Sequence, residues 1–224
     1  MSGRRLGVLL SGSGRTLENL FERIADGSLR AEVALVMSSK ASALGLERAA
    51  KRGVPTAVVE PARGQSAADY SRALFERLRE ARVDLVVLAG FLRVIEVPPD
   101  FAGRILNIHP ALLPAFGGAG MWGHHVHEAV LASGVRTSGC TVHYVTNEID
   151  GGPIVLQRSC EVREDDTPDS LAARVFEEEK RAYPEAIALH LDGRLRIEGG
   201  VVRRAPGAAP SSPDVHDERG GRGA

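Results

Sequence analysis

Short apolar runs that alternate with amphipathic helical patterns constrain the fold of this chain more than any other feature. Five runs in the first half have the length and composition of buried strands: 6–10, 33–37, 56–59, 84–89 and 104–108. Segments 17–24, 43–52 and 67–82 between them carry the spacing of helices. Strands that alternate with helices pair in parallel, with helices on both faces. The sequence therefore predicts an α/β fold with a doubly wound, mostly parallel, Rossmann-like sheet in one domain.

The pattern changes after residue 110. A loop rich in glycine and proline over 110–123 precedes a short helix over 125–133, and two strands over 141–146 and 154–162 have a hairpin-like connection. A long helix over 168–191 and a small strand or hairpin over 194–202 complete the domain. We expect one domain over 1–203. Residues 204–224 are rich in Pro, Gly, Ala and charge without apolar periodicity, which predicts a disordered tail.

Composition excludes several classes of function. The 28 basic and 29 acidic residues give a formal net charge of −1, with no basic block to follow a nucleic-acid backbone. No apolar stretch approaches the roughly 20 residues of a membrane helix, and the first residues lack the pattern of a signal peptide. Two cysteines make no disulfide framework, as expected in a reducing compartment. We therefore expect a cytoplasmic protein without nucleic-acid or membrane partners.

A glycine-rich turn follows the first strand and opens a helix. Its residues are Gly12, Ser13, Gly14, Arg15 and Thr16. Free N–H groups at a helix start form an anion site, and glycines let the backbone approach a phosphate. The third glycine of the dinucleotide fingerprint is replaced by Glu18. A phosphate site and a purely structural turn both remain open.

Three polar residues stand where strands meet the ligand edge of such a sheet. Asn107 and His109 alternate on the fifth strand and so share a face, while Asp150 lies in the glycine-rich connection 147–152. An amide and an imidazole can stabilise a developing oxyanion, and a carboxylate can support the imidazolium. A structural histidine and an ordinary turn aspartate remain the alternatives, because spacing does not show whether the residues meet.

Two other kinds of chemistry are disfavoured. The histidines at 124, 125 and 127 have glycine and valine as neighbours rather than the ligand spacing of a metal site, so we expect no metal and interpret them as a helix start lining a pocket. There is no Gly-x-Ser-x-Gly elbow, and neither cysteine stands in a helix-start motif, which argues against a covalent nucleophile.

Five segments carry a resemblance to a known family. The segments are Leu-Leu-Ser-Gly-Ser-Gly at 9–14, Val-Leu-Ala-Gly-Phe-Leu-Arg at 87–93, Leu-Asn-Ile-His-Pro-Ala-Leu-Leu-Pro at 106–114, Ser-Gly-Cys-Thr-Val-His-Tyr-Val at 138–145 and Asp-Gly-Gly-Pro-Ile-Val-Leu-Gln at 150–157. Through these segments the chain resembles the glycinamide ribonucleotide transformylases, folate-dependent formyltransferases of purine biosynthesis, over residues 6–202. The resemblance implies the single-domain formyltransferase fold.

The resemblance also implies ligands and residue roles. The formyl donor is 10-formyltetrahydrofolate, bound by Leu92, Arg93, Val94, Ile95, Asn107 and Asp150. The acceptor is 5'-phosphoribosylglycinamide, with its phosphate on Gly12, Ser13, Gly14, Arg15 and Thr16 and with Glu179 on its side of the site. Asn107, His109 and Asp150 form the catalytic set for direct attack by the amine. Independently of the resemblance we expect a monomer or a homodimer, and the sequence does not decide between them.

The chain departs from the family in three places. Arg15-Thr16 replaces a usual Ser-Asn, an arginine expected near Ala67 is absent, and the loop 116–123 is longer than in many relatives. We expect Gly117 to Gly123 to form a mobile lid. The alternatives are another formyl-folate enzyme, either a formyltetrahydrofolate deformylase or a methionyl-tRNA formyltransferase, and a non-catalytic nucleotide-binding module. Pro110 after His109 disfavours the deformylase, and the terminal tail disfavours the methionyl-tRNA formyltransferase.

Overall fold

Seven strands form one sheet in the computed structural model, which describes residues 4–205. The sheet strands are β1 (Arg5–Leu10), β2 (Glu32–Ser38), β3 (Thr56–Val58), β4 (Leu85–Leu88), β5 (Ile105–His109), β6 (Thr137–Tyr144) and β7 (Ile154–Glu161). A separate hairpin comprises β8 (Leu195–Glu198) and β9 (Val201–Arg204). The helices are α1 (Arg15–Ala25), α2 (Leu44–Lys51), α3 (Ala67–Glu80), α4 (His124–Ser133) and α5 (Pro168–Leu191), with a 3₁₀ turn at Pro99–Phe101. All predicted strands and helices are present.

The strand order β3-β2-β1-β4-β5-β6-β7 confirms the doubly wound, mostly parallel prediction. Strands β1 to β5 pair in parallel, and β6 and β7 are antiparallel to their neighbours. The parallel strands present their carboxyl ends at one edge, where ligands bind in such sheets. Asn107 on β5 lies opposite His143 on β6 at this part of the sheet.

Alternation along the strands builds two cores. On β1, Val8 packs into the core beneath α1, α2, α4 and α5, whereas Leu9 packs into the core beneath α3. Both side chains are completely buried. This two-sided burial is what a strand covered by helices on both faces requires, and it explains the continuous apolar runs of the sequence.

Element bounds differ from the sequence predictions in a few places. Strand β5 extends to His109 and β6 begins at Thr137, four residues before the predicted start, because pairing with β7 continues there. The hairpin β8–β9 extends through Arg204, one residue beyond the predicted domain boundary, and the N–H of Ala205 donates to the carbonyl of Arg194. The rest of the predicted tail, 206–224, lies outside the described residues. Among residues 4–205, no helix has the length and apolar composition that crossing a membrane requires.

Helix α5 is fixed to the centre of the sheet by a buried hydroxyl. The Tyr183 Oη atom lies 2.9 Å from the carbonyl oxygens of both Leu88 on β4 and Leu106 on β5. Burial raises the pKa of Tyr183 well above its usual range, so the group stays a neutral donor. This contact sets the position of α5 relative to the strand ends of the parallel sheet.

We expect Tyr183→Phe to lower the free energy of unfolding by about 1–2 kcal/mol, because a buried hydrogen bond is lost with little change of volume. Urea denaturation followed by circular dichroism measures the change. Tyr70→Phe is the matched control: its hydroxyl makes one bond, to the Val59 carbonyl, at a part-buried position, and its loss should cost less. Equal stability of Tyr183→Phe and the unaltered chain would contradict the role given to this hydroxyl.

Candidate functional site

One cavity of about 970 Å³ lies over the carboxyl ends of β1, β4 and β5. Loop 110–123, the β6–β7 connection and α5 complete its walls. Every site residue predicted from the sequence lines this cavity: Gly12, Ser13, Gly14, Arg15, Thr16, Leu92, Arg93, Val94, Ile95, Asn107, His109, Asp150 and Glu179. The structure therefore brings together the helix start, the segment after β4 and the polar strand ends.

His109 and Asp150 face each other at the base of the cavity. The Nδ1 atom of His109 lies 3.6 Å from Oδ2 of Asp150, and Nε2 lies 2.8 Å from the carbonyl oxygen of Phe116. A carbonyl only accepts, so Nε2 donates to it and carries a proton. The 3.6 Å separation exceeds hydrogen-bond length, so Nδ1 is close to the carboxylate without being bound to it.

His143 belongs to the same cluster, and the sequence analysis gave it no role. Its Nδ1 donates to the Tyr144 carbonyl at 3.0 Å, and its Nε2 lies 3.1 Å from Nδ2 of Asn107 and 3.6 Å from Oδ1 of Asp150. Burial lowers the pKa of His143, which favours the neutral ring that accepts from Asn107. His143 thus fixes the orientation of the Asn107 amide.

The β6–β7 connection holds Asp150 in an uncommon backbone conformation. Its φ is 54°, in the left-handed region that aspartate tolerates better than most residues. Its Oδ2 accepts the N–H of Gly118 at 2.9 Å, which joins the connection to loop 110–123. Gly152 is required two residues later, because a Cβ there would lie 1.8 Å from the Tyr144 carbonyl oxygen.

The turn at the start of α1 has the features of an anion site. The carbonyl oxygens of Gly12 and Ser13 accept from the Gly45 N–H at 3.2 Å and from Nε of Arg48 at 2.9 Å. No side chain caps α1, and the N–H groups of residues 12–16 have no acceptor within the part of the chain described. Carbonyls that are occupied and N–H groups that are free favour an anion at a helix start.

The segment after β4 combines exposed apolar side chains with free main-chain groups. Leu92 and Val94 are about half exposed on the cavity wall, at 47% and 58%. Between residues 4 and 205, no hydrogen bond engages the main-chain groups of residues 93–95. A flat ring system with polar edges can pack on such side chains and bond to such a backbone.

Glu179 on α5 is a titratable group without a hydrogen-bond partner in the described residues. It lines the cavity close to Arg15, whose guanidinium lies over the Phe176 ring at 4.5 Å from its centroid. Burial raises the pKa of Glu179 to about 7, and the charge of Arg15 opposes the shift. Glu179 therefore changes its charge close to neutral pH.

The segment from Gly117 to Gly123 lies along the cavity mouth. Trp122 is 51% exposed and makes an edge contact with the His125 ring at 4.9 Å between centroids. His124 and His127 line the cavity, as the interpretation of a helix start beside a pocket predicted. Burial, aided by the charges of His124 and His109, lowers the pKa of His127 to about 4. The proposed lid movement of this segment stays a prediction.

Comparison with known proteins gives one consistent family. The model of the formyl transferase family matches residues 4–187. The phosphoribosylglycinamide formyltransferase of Escherichia coli is 38% identical over 192 residues, which cover 85% of this chain and 88% of that protein. The crystal structure of glycinamide ribonucleotide transformylase 1 from Symbiobacterium toebii superposes with a TM-score of 0.84 at 44% identity, covering 92% of this chain and 96% of that one.

Some relatives are much longer proteins. The trifunctional purine biosynthetic protein adenosine-3 of Drosophila pseudoobscura pseudoobscura is 41% identical over 207 residues, which are 91% of this chain. The chain spans only 15% of the length of that relative. The likeness therefore concerns one part of the trifunctional protein.

The raised pKa of Glu179 predicts a specific dependence of stability on pH. The pKa of the carboxyl is the ordinary 4.5 in the unfolded chain and about 7 in the folded one, so folding is progressively disfavoured as pH rises through this interval. Glu179→Gln removes this term. We expect the variant to gain melting temperature over the unaltered chain, with a gain at about pH 8 larger than at about pH 5.

Thermal unfolding at both pH values measures the difference. Glu177→Gln is the matched control on the same helix, since its exposed carboxylate pairs with Lys180. It should show no gain that grows with pH. A gain of Glu179→Gln that is the same at both pH values would contradict ionisation of Glu179 within this interval.

Proposed function

Because the chain belongs to the formyl transferase family, we propose that it transfers the formyl group of 10-formyltetrahydrofolate to the amine of 5'-phosphoribosylglycinamide. The observation that carries the proposal is one cavity lined by an uncapped helix start, a half-exposed apolar segment and the cluster of Asn107, His109 and Asp150. Its volume of about 970 Å³ is at the upper end for ligand pockets, which suits two ligands bound together.

The residues at the base of the cavity suit direct attack by an amine. When the amine nitrogen bonds to the formyl carbon, the carbonyl oxygen takes the negative charge. In its imidazolium form His109 keeps the Nε2 bond to the Phe116 carbonyl and donates from Nδ1 to this oxygen, and the Asn107 amide that His143 orients donates to it as well. Asp150 stabilises the imidazolium by its charge and accepts the proton that the amine releases. The leaving folate nitrogen takes up this same proton as its bond to the formyl carbon breaks, which returns Asp150 to the carboxylate.

The two ends of the cavity suit the remaining parts of the substrates. We assign the phosphate to the free N–H groups of residues 12–16, with Arg15 and Thr16 as side-chain partners and Glu179 beside the nucleotide. We assign the pterin to residues 92–95, where apolar side chains and free main-chain groups lie together. We place the reaction in the cytoplasm, without nucleic-acid partners, in a monomer or homodimer.

One assay distinguishes this function from its alternatives. Purified protein is incubated with 10-formyltetrahydrofolate, with and without 5'-phosphoribosylglycinamide, and tetrahydrofolate release is followed by absorbance. We expect release only with the nucleotide. Release with water alone would indicate a deformylase, and no release in either reaction would indicate a binding module.

The cluster of Asn107, His109 and Asp150 predicts that substitutions within it cause large and non-additive losses of turnover. His109→Ala and Asp150→Asn should each lower kcat by about 10²–10⁴, because the oxyanion loses its donor or the imidazolium loses its counter-charge. The double variant should lose less than the product of the single effects, since the two residues act as a unit. His125→Ala removes an exposed imidazole paired with Glu128 and should keep kcat. Near-normal turnover of His109→Ala would refute the assigned role.

The anion site at residues 12–16 predicts that substitutions there weaken the binding of the nucleotide and not that of formyl-folate. Arg15→Met and Thr16→Val should each raise KM for the nucleotide by roughly tenfold and leave KM for formyl-folate nearly unchanged, because each removes one phosphate contact. Arg72→Met, at an exposed pair with Asp69, is the control. Substitution of Gly14 is a poor probe, because its Cβ would lie 2.6 Å from the Cα of Gly45. Equal rises of both KM values would argue against a phosphate at this turn.

A further inference from the structure

The two ligand segments, residues 12–16 and 92–95, are joined behind the cavity wall by one hydroxyl group. Ser11 follows β1 and immediately precedes the glycine-rich turn, and its Oγ accepts the N–H of Leu92 at 3.0 Å. The N–H of Ser11 donates to the Gly90 carbonyl, also at 3.0 Å. Gly12 and Leu92 line the cavity, so Ser11 joins the start of one ligand segment to the start of the other.

A second hydroxyl holds the first in place. Ser39 directly follows β2, and its Oγ lies 2.7 Å from Oγ of Ser11. The N–H of Ser39 donates to the Leu10 carbonyl at 3.3 Å. Ser11 and Ser39 are only 5% and 2% exposed. A serine hydroxyl has one proton and two lone pairs, so Ser11 can bond to Leu92 and Ser39 at once.

Because these hydrogen bonds are buried, they link the movement of residues 12–16 to that of the segment at Leu92. A buried N–H or hydroxyl that loses its partner is destabilised by more than an exposed one, because water does not replace the bond. Ser11 directly precedes Gly12, so any shift of the turn at residues 12–16 towards an anion moves Ser11 as well. The segment at Leu92 must follow or lose its acceptor, so the two segments favour matching positions.

We propose that the Ser11–Ser39 hydroxyl pair is a positioning device that couples the two substrate sites, so that each ligand binds more tightly when the other is present. The inference rests on the proposed function, because it takes the nucleotide phosphate to bind at residues 12–16 and the folate at residues 92–95. Neither serine contacts a ligand. The coupling is reciprocal, since both ligands stabilise the same arrangement of the two segments.

Titration calorimetry tests the coupling directly. The dissociation constant of 5'-phosphoribosylglycinamide is measured without and with saturating tetrahydrofolate, the product that has no formyl group to transfer. The ratio of the two constants is the coupling factor, which we expect to be about fivefold or more in the unaltered chain. In Ser11→Ala it should fall to about one. A merely structural role would weaken single-ligand binding or lower the melting temperature without abolishing this factor.

Ser28→Ala is the matched control, because it removes a serine hydroxyl that bonds to the Arg23 carbonyl on the exposed surface. It should keep the full coupling factor. Ser39→Ala leaves the bond between Ser11 and Leu92 possible but removes the hydroxyl that holds Ser11. It should lower the factor, and it replaces Ser11→Ala as the test if that variant does not fold.

The outcomes separate the inference from the function on which it rests. A coupling factor of one in the unaltered chain, or a full factor in Ser11→Ala or in its replacement Ser39→Ala, overturns the coupling role even when formyl transfer is measured. Absence of formyl transfer from the unaltered chain instead overturns the proposed function.

Discussion

The change from parallel to antiparallel pairing between β5 and β6 is the constraint on which the candidate site depends. It puts Asn107 opposite His143, and the chain then turns back through residues 147–152 to begin β7. This turn returns Asp150 to within 3.6 Å of both His109 and His143. Strand β6 runs away from the carboxyl end of β5, and the connection 147–152 folds back to place Asp150 beside His109. The reversal and this folded connection together assemble groups that lie up to 43 positions apart in the chain.

Polar groups that are buried at the end of a strand need hydrogen-bond partners, and the main chain supplies them. His109 bonds to Phe116, His143 to Tyr144, and Asp150 to Gly118. Each bond offsets the cost of burying a polar group. Nδ1 of His109 is left for a ligand, whereas Nε2 of His143 holds the Asn107 amide. Two of the residues concerned, Phe116 and Asp150, have φ values of 56° and 54°, where side chains other than those of glycine are uncommon. Backbone strain of this kind is concentrated at functional sites.

The sequence predicted the fold well because its signals are local. Helix periodicity located α5 at Pro168–Leu191, and apolar runs located every strand of the sheet. Residues 12–16, Asn107, His109 and Asp150 were found because strand ends share one edge, whereas residues 92–95 and Glu179 came from the family resemblance. His143 was missed as a member of the cluster because its position opposite Asn107 depends on the antiparallel register of β6 against β5. Polar residues at 141 and 143 in an apolar strand were the available signal. The surroundings of Glu179 and Ser11 arise from contacts between distant segments, which single-sequence patterns do not contain.

Two titratable groups in the cavity resist being charged. Burial holds His127 neutral and raises the pKa of Glu179 to about 7. Arg15 opposes the shift of Glu179 while its guanidinium stacks on Phe176. An anion bound at the start of α1 competes for Arg15 and repels the Glu179 carboxylate, which favours protonation of Glu179. Binding of an anion and uptake of a proton by Glu179 are therefore linked, and this linkage follows from three side chains on two packed helices.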